Sequence, residues 1–188
     1  MSDNSANKRI AINAAVLYIK LIITIVVNFT VARLVLDAIG ASDYGLYNVV
    51  GGIVAMLNIL GSSMVATSYR YMAVEIGKGS EGNPNKVYNT IFIIHAAIAV
   101  LLLLIGETLG IFYVENYLNV DSEKIPDALF VLHLSLLTTA FAVIAVPMHG
   151  LIIAREKFLF TSVVEILSVL MKLGFITALM FMTGNRLR

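Results

Sequence analysis

The stretch IFIIHAAIAVLLLLI, residues 91–105, decides the class of fold. It carries no charged side chain, and the runs 91–94 and 101–104 show no alternation of apolar and polar residues. A strand of a transmembrane barrel alternates with a period of two residues, whereas a helix satisfies all its backbone groups within one segment and tolerates apolar residues all round. The stretch therefore predicts a membrane-spanning helix.

The composition of the whole chain agrees with this prediction. Of 188 residues, 59% are hydrophobic and 13% are charged, whereas a soluble domain carries about 25% charged residues. These values argue against a soluble globule and against intrinsic disorder. The net charge of +1, without a basic cluster, argues against nucleic acid as a partner. The lack of cysteine excludes disulfides and Cys-ligated zinc.

Five apolar stretches are near or above the length of about 20 residues that crosses a bilayer. We therefore expect an all-α integral membrane protein, a polytopic bundle of five helices forming one transmembrane domain over residues 1–188. The polar segment Met1–Arg9 precedes an apolar stretch too long for a signal peptide, which predicts an uncleaved first span. The approximate spans are 11–36, 45–67, 87–113, 128–154 and 158–182.

The distribution of Lys and Arg among the loops predicts a cytoplasmic N-terminus. On the opposite side, Lys124 is the only Lys or Arg residue in the loops 37–44 and 114–127. Five spans would place Arg186 and Arg188 on that opposite side, so we expect that a sixth helix is absent. The cytoplasmic side would hold Lys8, Arg9, Arg70, Lys78, Lys86, Arg155 and Lys157.

Prolines mark two places in the fourth span. Pro126 lies where the span begins, and proline is tolerated in the first turn of a helix. Pro147 lies inside the span and is expected to bend it by freeing the carbonyl of Val143.

The fifth span carries four polar side chains on one helix face, because their spacings are four, three and four residues. Glu165 and Lys172 are two turns apart, about 10.5 Å along the axis, so each is expected to find its partner elsewhere. The face is either one wall of a polar transport cavity or a polar contact between helices with neutralised charges. The four residues are Thr161, Glu165, Ser168 and Lys172.

The first span contains Lys20, Asn28 and Arg33. Lys20 either lines a cavity with Asn28 or extends its amine to the cytoplasmic interface. Arg33 lies four residues before Asp37, a spacing that allows a salt bridge within one helix. We expect this pair to anchor the outer end of the span. Arg33, Asp37 and Pro147 are also candidates for a gate or interface.

The second span carries a stripe of small and polar residues. Such residues let helices approach closely, which favours packing over a cavity. The stripe consists of Asn48, Gly52, Ala55, Asn58 and Ser62.

Residue types that support catalysis are sparse. His95 and His133 each lack a second ligand at metal spacing, and His149 is expected near the cytoplasmic interface. Glu107 is either a solvated residue near the outer interface or a proton-linked carboxylate. No nucleophile–base set or paired acid emerges. We therefore expect neither an enzyme nor a cofactor or metal.

Three stretches resemble the polysaccharide and O-antigen flippases of the multidrug/oligosaccharidyl-lipid/polysaccharide exporter superfamily. The first is AIGASDYGLYNVVGG, residues 38–52, similar to the family's LG-x-x-x-YG-x-Y pattern between its first two helices, with Ile39 in place of leucine. The others are SYRYMAVEIGKG, residues 68–79, after helix two, and VPMHGLIIAREKF, residues 146–158, between helices four and five. Their order and spacing match the family over most of the chain.

The resemblance implies a lipid-linked oligosaccharide, a repeat unit on undecaprenyl pyrophosphate, moved across the bacterial inner (cytoplasmic) membrane by alternating access. Family members have two six-helix lobes, so this chain would be an incomplete N-terminal lobe like that of a multidrug exporter. Its partners would be membrane lipids, a missing C-terminal lobe or partner chain, and polysaccharide assembly proteins. Cationic residues that complement the pyrophosphate would be Lys20, Arg70 and Lys172, with Arg33 a weaker candidate.

Two alternatives stay open. One is an ion-coupled multidrug or organic-cation exporter of the same superfamily, for which Glu165 is the best candidate acid. The other is a non-transporting membrane scaffold or truncated fragment, which the odd helix number favours.

Overall fold

The computed structural model describes the backbone of residues 3–184, and side chains within it except those of residues 3–10, 13, 57–60, 62 and 182–184. The described chain is helical and contains no strand, which confirms the all-α prediction. Four α-helices are present: α1 (Asp3–Gly77), α2 (Pro84–Asn116), α3 (Ile125–Ala154) and α4 (Phe158–Gly184). Short 3₁₀ turns, Gly79–Glu81 and Ser122–Lys124, lie in the connections on either side of α2. Arg186 and Arg188 lie outside the described residues.

A single glycine interrupts α1. Gly40 has φ 79° and ψ 167°, whereas helix continues on both sides of it. This backbone conformation is essentially restricted to glycine. The loop expected over residues 37–44 is therefore reduced to one non-helical residue, because the other residues there are compatible with helix. At 1.5 Å per residue, segments 3–39 and 41–77 are each about 55 Å long, more than the thickness of about 30 Å of a bilayer core.

Local signals define the start of α2. The Asn83 side chain accepts a hydrogen bond from the backbone N–H of Lys86 at 3.0 Å, and Pro84 occupies the first turn. Such a cap satisfies one of the free N–H groups of the first turn. The expected third span, 87–113, lies inside α2.

The last two helices also agree with the sequence analysis. Pro126 lies in the first turn of α3, as predicted. The helix continues through Pro147 to Ala154, and both Pro147 and Val143 are buried. The fourth helix begins at Phe158, the predicted start of the fifth span.

Within the described residues, four helical segments are long and apolar enough to cross a membrane: Ala14–Met56, Pro84–Asn116, Ser122–Ala154 and Phe158–Phe181. Most of their surface is not packed against protein, and Phe29 and Phe181 are 76% and 80% exposed. Exposed apolar surface on this scale marks contact with lipid or with another chain. The chain is thus a multi-pass membrane protein. The first segment contains Gly40, so five crossings remain a prediction.

The chain divides into two units, each described by itself: Met1–Tyr44 with Lys157–Arg188, and Gly45–Glu156. The first unit contains α4 and the N-terminal part of α1, where Val27, Val31 and Ser162 are buried. The second contains the remainder of α1 with α2 and α3. Its main core consists of Leu46, Val50, Val54, Val114, Ala128, Leu132 and Leu136.

Close helix contact in the second unit depends on glycine. A Cβ atom on Gly150 of α3 would lie 2.8 Å from the Cβ of Ser68 and 2.9 Å from the backbone nitrogen of Tyr69. These distances are shorter than real Cβ contacts. The absence of a side chain at Gly150 therefore lets α3 approach the backbone of α1.

Candidate functional site

The first unit contains an ion pair between two apolar helices. The ammonium Nζ of Lys20 on α1 lies 2.7 Å from the carboxylate Oε2 of Glu165 on α4. Both residues belong to segments with the length and composition of membrane spans. Charges at such positions cost about 2.5–3.5 kcal/mol each on insertion scales. The pair therefore offsets two unfavourable charges and links the two helices.

Access to the two charges differs. The Lys20 side chain is 22% exposed and the Glu165 side chain 52% exposed. The carboxylate can therefore be approached from outside the pair, while the ammonium is mostly covered. The structure pairs the Lys20 ammonium with a carboxylate, and the two roles considered for Lys20 stay predictions.

Two hydroxyl groups lie one helical turn from the ion pair along their helices. Thr24 follows Lys20 by four residues, and Ser162 precedes Glu165 by three. Both hydroxyl oxygens are buried, and neither has a hydrogen-bond partner among the described residues. A buried polar group without a partner costs about 1–3 kcal/mol. The hydrogen-bonding capacity of these two hydroxyls is therefore unused within the described residues.

The remaining polar residues on the predicted face of α4 behave differently. The hydroxyls of Thr161 and Ser168 donate to their own helix, to the carbonyls of Phe158 at 2.9 Å and Val164 at 2.8 Å. Lys172 is exposed and has no salt bridge within the described part of the chain. With Glu165 matched by Lys20, Lys172 gives the face a net positive charge.

Other predicted residues of the first unit lie outside this pair. Asn28 is exposed on α1. Arg33 and Asp37 form the pair that their spacing allows, with Nε and Oδ2 3.9 Å apart and side chains 83% and 58% exposed. An exposed pair with this separation contributes little to stability.

Arg70 and Pro147 belong to the second unit. Arg70 is exposed on α1. Pro147 is fully buried within α3. Its role in a gate or interface stays a prediction.

The small-residue stripe of the second span does not form the packing face that was expected. Asn48, Gly52 and Ala55 are exposed, whereas Leu46, Val50 and Val54 of the same segment are buried. The expectation of packing is wrong for these three residues, since the larger apolar side chains fill the space between helices. The side chains of Asn58 and Ser62 lie outside the described residues.

The exposed stripe instead lines an open groove of about 680 Å³ between α1 and α3. On the α3 side, the groove carries the hydroxyl residues Ser135, Thr138 and Thr139. Thr138 and Thr139 donate to the carbonyls of Leu134 and Ser135 of their own helix, at 2.7 and 2.9 Å. The groove is therefore mildly polar and carries no charged side chain.

A second pair within the apolar helices was not predicted from the sequence. The Nδ1 atom of His133 on α3 lies 2.6 Å from Oε2 of Glu107 on α2. Neither residue is isolated, contrary to the description of His133 as standing alone. Glu107 lies nine residues before the end of α2 and His133 eight after the start of α3. Two residues at similar distances from the connection between antiparallel helices lie at similar depth. This equal spacing of Glu107 and His133 from the α2–α3 connection was the signal that could have revealed the pair.

Comparison with known proteins finds no matching family model, no similar curated protein and no similar solved structure.

Proposed function

We propose that the chain is part of a transporter that moves a lipid-linked oligosaccharide across the bacterial cytoplasmic membrane by alternating access. The transported molecule would be a polysaccharide or O-antigen repeat unit on undecaprenyl pyrophosphate. Support comes from the three flippase-like stretches and from cations within membrane-spanning segments. In this proposal the chain crosses the membrane five times and supplies part of one lobe, and a second lobe or partner chain encloses the pathway.

The observation that carries the proposal is the Lys20–Glu165 pair, together with Lys172, a cation on the same helix as Glu165 that has no salt bridge among the described residues. A pyrophosphate is a doubly or more highly charged anion that binds ammonium groups through charge-assisted hydrogen bonds. In the empty protein, Glu165 neutralises Lys20. An arriving pyrophosphate would displace the half-exposed carboxylate and take over the ammonium.

The exchange of one anion for another suits a carrier. Because Lys20 always has an anionic partner, its charge is never left unmatched in the membrane, which would be costly. When the substrate leaves, Glu165 returns to Lys20. Lys172 and the hydroxyls of Thr24 and Ser162 would then add contacts to the polar part of the substrate.

A complementation experiment tests this proposal. The gene is deleted, an intact copy is supplied on a plasmid, and lipid-linked glycan at the cell surface is quantified. We expect deletion to abolish the surface glycan, and Lys20→Met and Lys172→Met each to reduce its recovery at equal protein level. Lys124→Met, in the opposite loop, is the matched control and should complement fully. Unchanged glycan after deletion contradicts the proposal, as does full complementation by both test variants.

A carboxylate within a span also favours a second candidate, an ion-coupled exporter of drugs or organic cations. Glu165, 52% exposed, would then exchange between Lys20 and a cation. Glu165→Gln should abolish efflux of a fluorescent cation if this candidate is right. A flippase should show no efflux phenotype with either the wild-type chain or this variant.

A further inference from the structure

A second cleft lies where the end of α1 meets the start of α2. It has a volume of about 670 Å³ and lies entirely within the second unit. Its polar side is formed by Tyr71, Glu75, Asn83, Lys86 and Thr90, and its apolar side by Val87, Ile91 and Ile94. The three apolar residues are spaced by four and three positions, so they follow one face of α2.

The wall of this cleft carries one carboxylate, Glu75, and one ammonium, Lys86, and Lys78 outside the wall is paired with Glu75. The carboxylate of Glu75 forms a salt bridge with Lys78 and accepts a hydrogen bond from the backbone N–H of Asn83 at 2.8 Å. The hydrogen bond from Lys78 is the main reason that the pKa of Glu75 lies below its ordinary value. Glu75 is thus ionised at neutral pH and matched by Lys78. Lys86 has no salt bridge within the described chain and supplies the excess charge.

The cleft runs from the polar start of α2 into the apolar part of this helix, which has the length and composition of a membrane span. Lys86 lies in the first turn of α2, and Ile94 lies about 12 Å farther along the helix axis at 1.5 Å per residue. Tyr71, 62% exposed beside the polar end, has the apolar ring and polar tip typical of a membrane interface. The positive-inside distribution predicts that this end faces the cytoplasm.

From this arrangement we infer that the cleft binds an anionic phospholipid of the cytoplasmic leaflet. Lys86 binds the lipid phosphate, and one acyl chain lies along Val87, Ile91 and Ile94. The acyl chains of a zwitterionic lipid fit the apolar wall equally well. Its headgroup carries a positive charge that is repelled by Lys86, so it binds more weakly. This inference concerns a bound lipid and does not depend on the transported substrate.

Lipid titrations of the purified full chain in detergent micelles test the inference. Binding of dioleoylphosphatidylglycerol and dioleoylphosphatidylcholine is measured by native mass spectrometry and by the shift in melting temperature. We expect preferential binding of the anionic lipid. Lys86→Gln should raise its Kd about tenfold, equivalent to loss of one charge-assisted contact of about 1.4 kcal/mol. Lys157→Gln removes the same charge from a position outside the cleft and should leave the Kd unchanged.

A second variant tests the acyl-chain part of the cleft. Ile94 is 50% exposed, so Ile94→Phe narrows the apolar wall without entering a packed core. We expect it to weaken binding of the dioleoyl lipid while glycerol 3-phosphate, the soluble headgroup, shows no stabilisation at millimolar concentration. The inference is overturned if phosphatidylcholine binds equally well or if Lys86→Gln and Lys157→Gln have the same effect. Stabilisation by glycerol 3-phosphate alone would also overturn it, since it would indicate a site for free phosphate.

Discussion

Breaking the Lys20–Glu165 pair should destabilise the chain by more than breaking an exposed surface pair. At the observed separation of 2.7 Å, the Coulomb attraction is about 1.5 kcal/mol at the dielectric constant of water and about 6 kcal/mol at an effective constant of about 20. Glu165 is 52% exposed and Lys20 22% exposed, so desolvation and screening reduce the net value. We expect a coupling energy of about 2 kcal/mol, above the range of about 0–1 kcal/mol for surface pairs.

A double-mutant cycle isolates this coupling energy. The free energy of unfolding is measured by SDS titration in mixed micelles, followed by far-UV circular dichroism, for Lys20→Met, Glu165→Gln and the double variant. Each single variant leaves one charge unmatched and should lose about 2 kcal/mol, whereas the double variant should lose less than the sum. The charge-reversed double variant, Lys20→Glu with Glu165→Lys, should recover most of the stability.

The control for this cycle is Lys172→Met, because it makes the same substitution at a cation without a salt bridge in the described structure. We expect a change within about 0.5 kcal/mol for this control. A coupling energy below about 0.5 kcal/mol between Lys20 and Glu165 would refute the reasoning. It would mean that the contact is too strongly screened to hold α1 against α4.

Three further predictions concern the backbone and one loop. Gly40→Ala should destabilise the chain by about 1–3 kcal/mol in the same SDS titration, since alanine is strained at φ 79° and ψ 167°. Gly45→Ala, in regular helix with open space, should be neutral or stabilising. Gly150→Ala should lower the free energy of unfolding by about 1–3 kcal/mol through overpacking. Gly174→Ala, where a Cβ atom would meet nothing within 4 Å, should leave stability unchanged. Equal melting temperatures for these two variants would contradict the prediction for Gly150. The pKa of Glu75 is lowered from 4.5, so its stabilisation of the loop is complete above that pH and lost as pH falls through the lower folded value. Protection factors against hydrogen exchange at residues 78–83 should fall in that acidic range, and Glu75→Gln should remove this pH dependence.

Helix boundaries were the most predictable part of this protein. The starts of α2, α3 and α4 follow local signals, namely Asn83 with Pro84, Pro126, and the apolar run from Phe158. Such signals act within one turn, so they are visible in sequence. The region around Gly40 was less predictable, because Asp, Ser and Ala there are compatible with either loop or helix, and only the backbone dihedral angles distinguish them.

The direction in which each helix faces could not be predicted from polarity alone. In the second span, Leu46, Val50 and Val54 are buried while Asn48, Gly52 and Ala55 are exposed. Lipid is as apolar as a leucine side chain, so the hydrophobic effect does not select the packed face of a membrane helix. Shape decides instead, and shape depends on the neighbouring helix.

The sequence by itself determined that this protein is a helical membrane protein, because composition and long uncharged runs leave its backbone no other way to satisfy its hydrogen bonds in lipid. It also determined which charges lie within the spans. Only the tertiary structure decided their partners, pairing Lys20 with Glu165 and His133 with Glu107. The physical reason is that an ion pair depends on distances of a few ångströms, and residues far apart in the chain acquire such distances only when their helices pack.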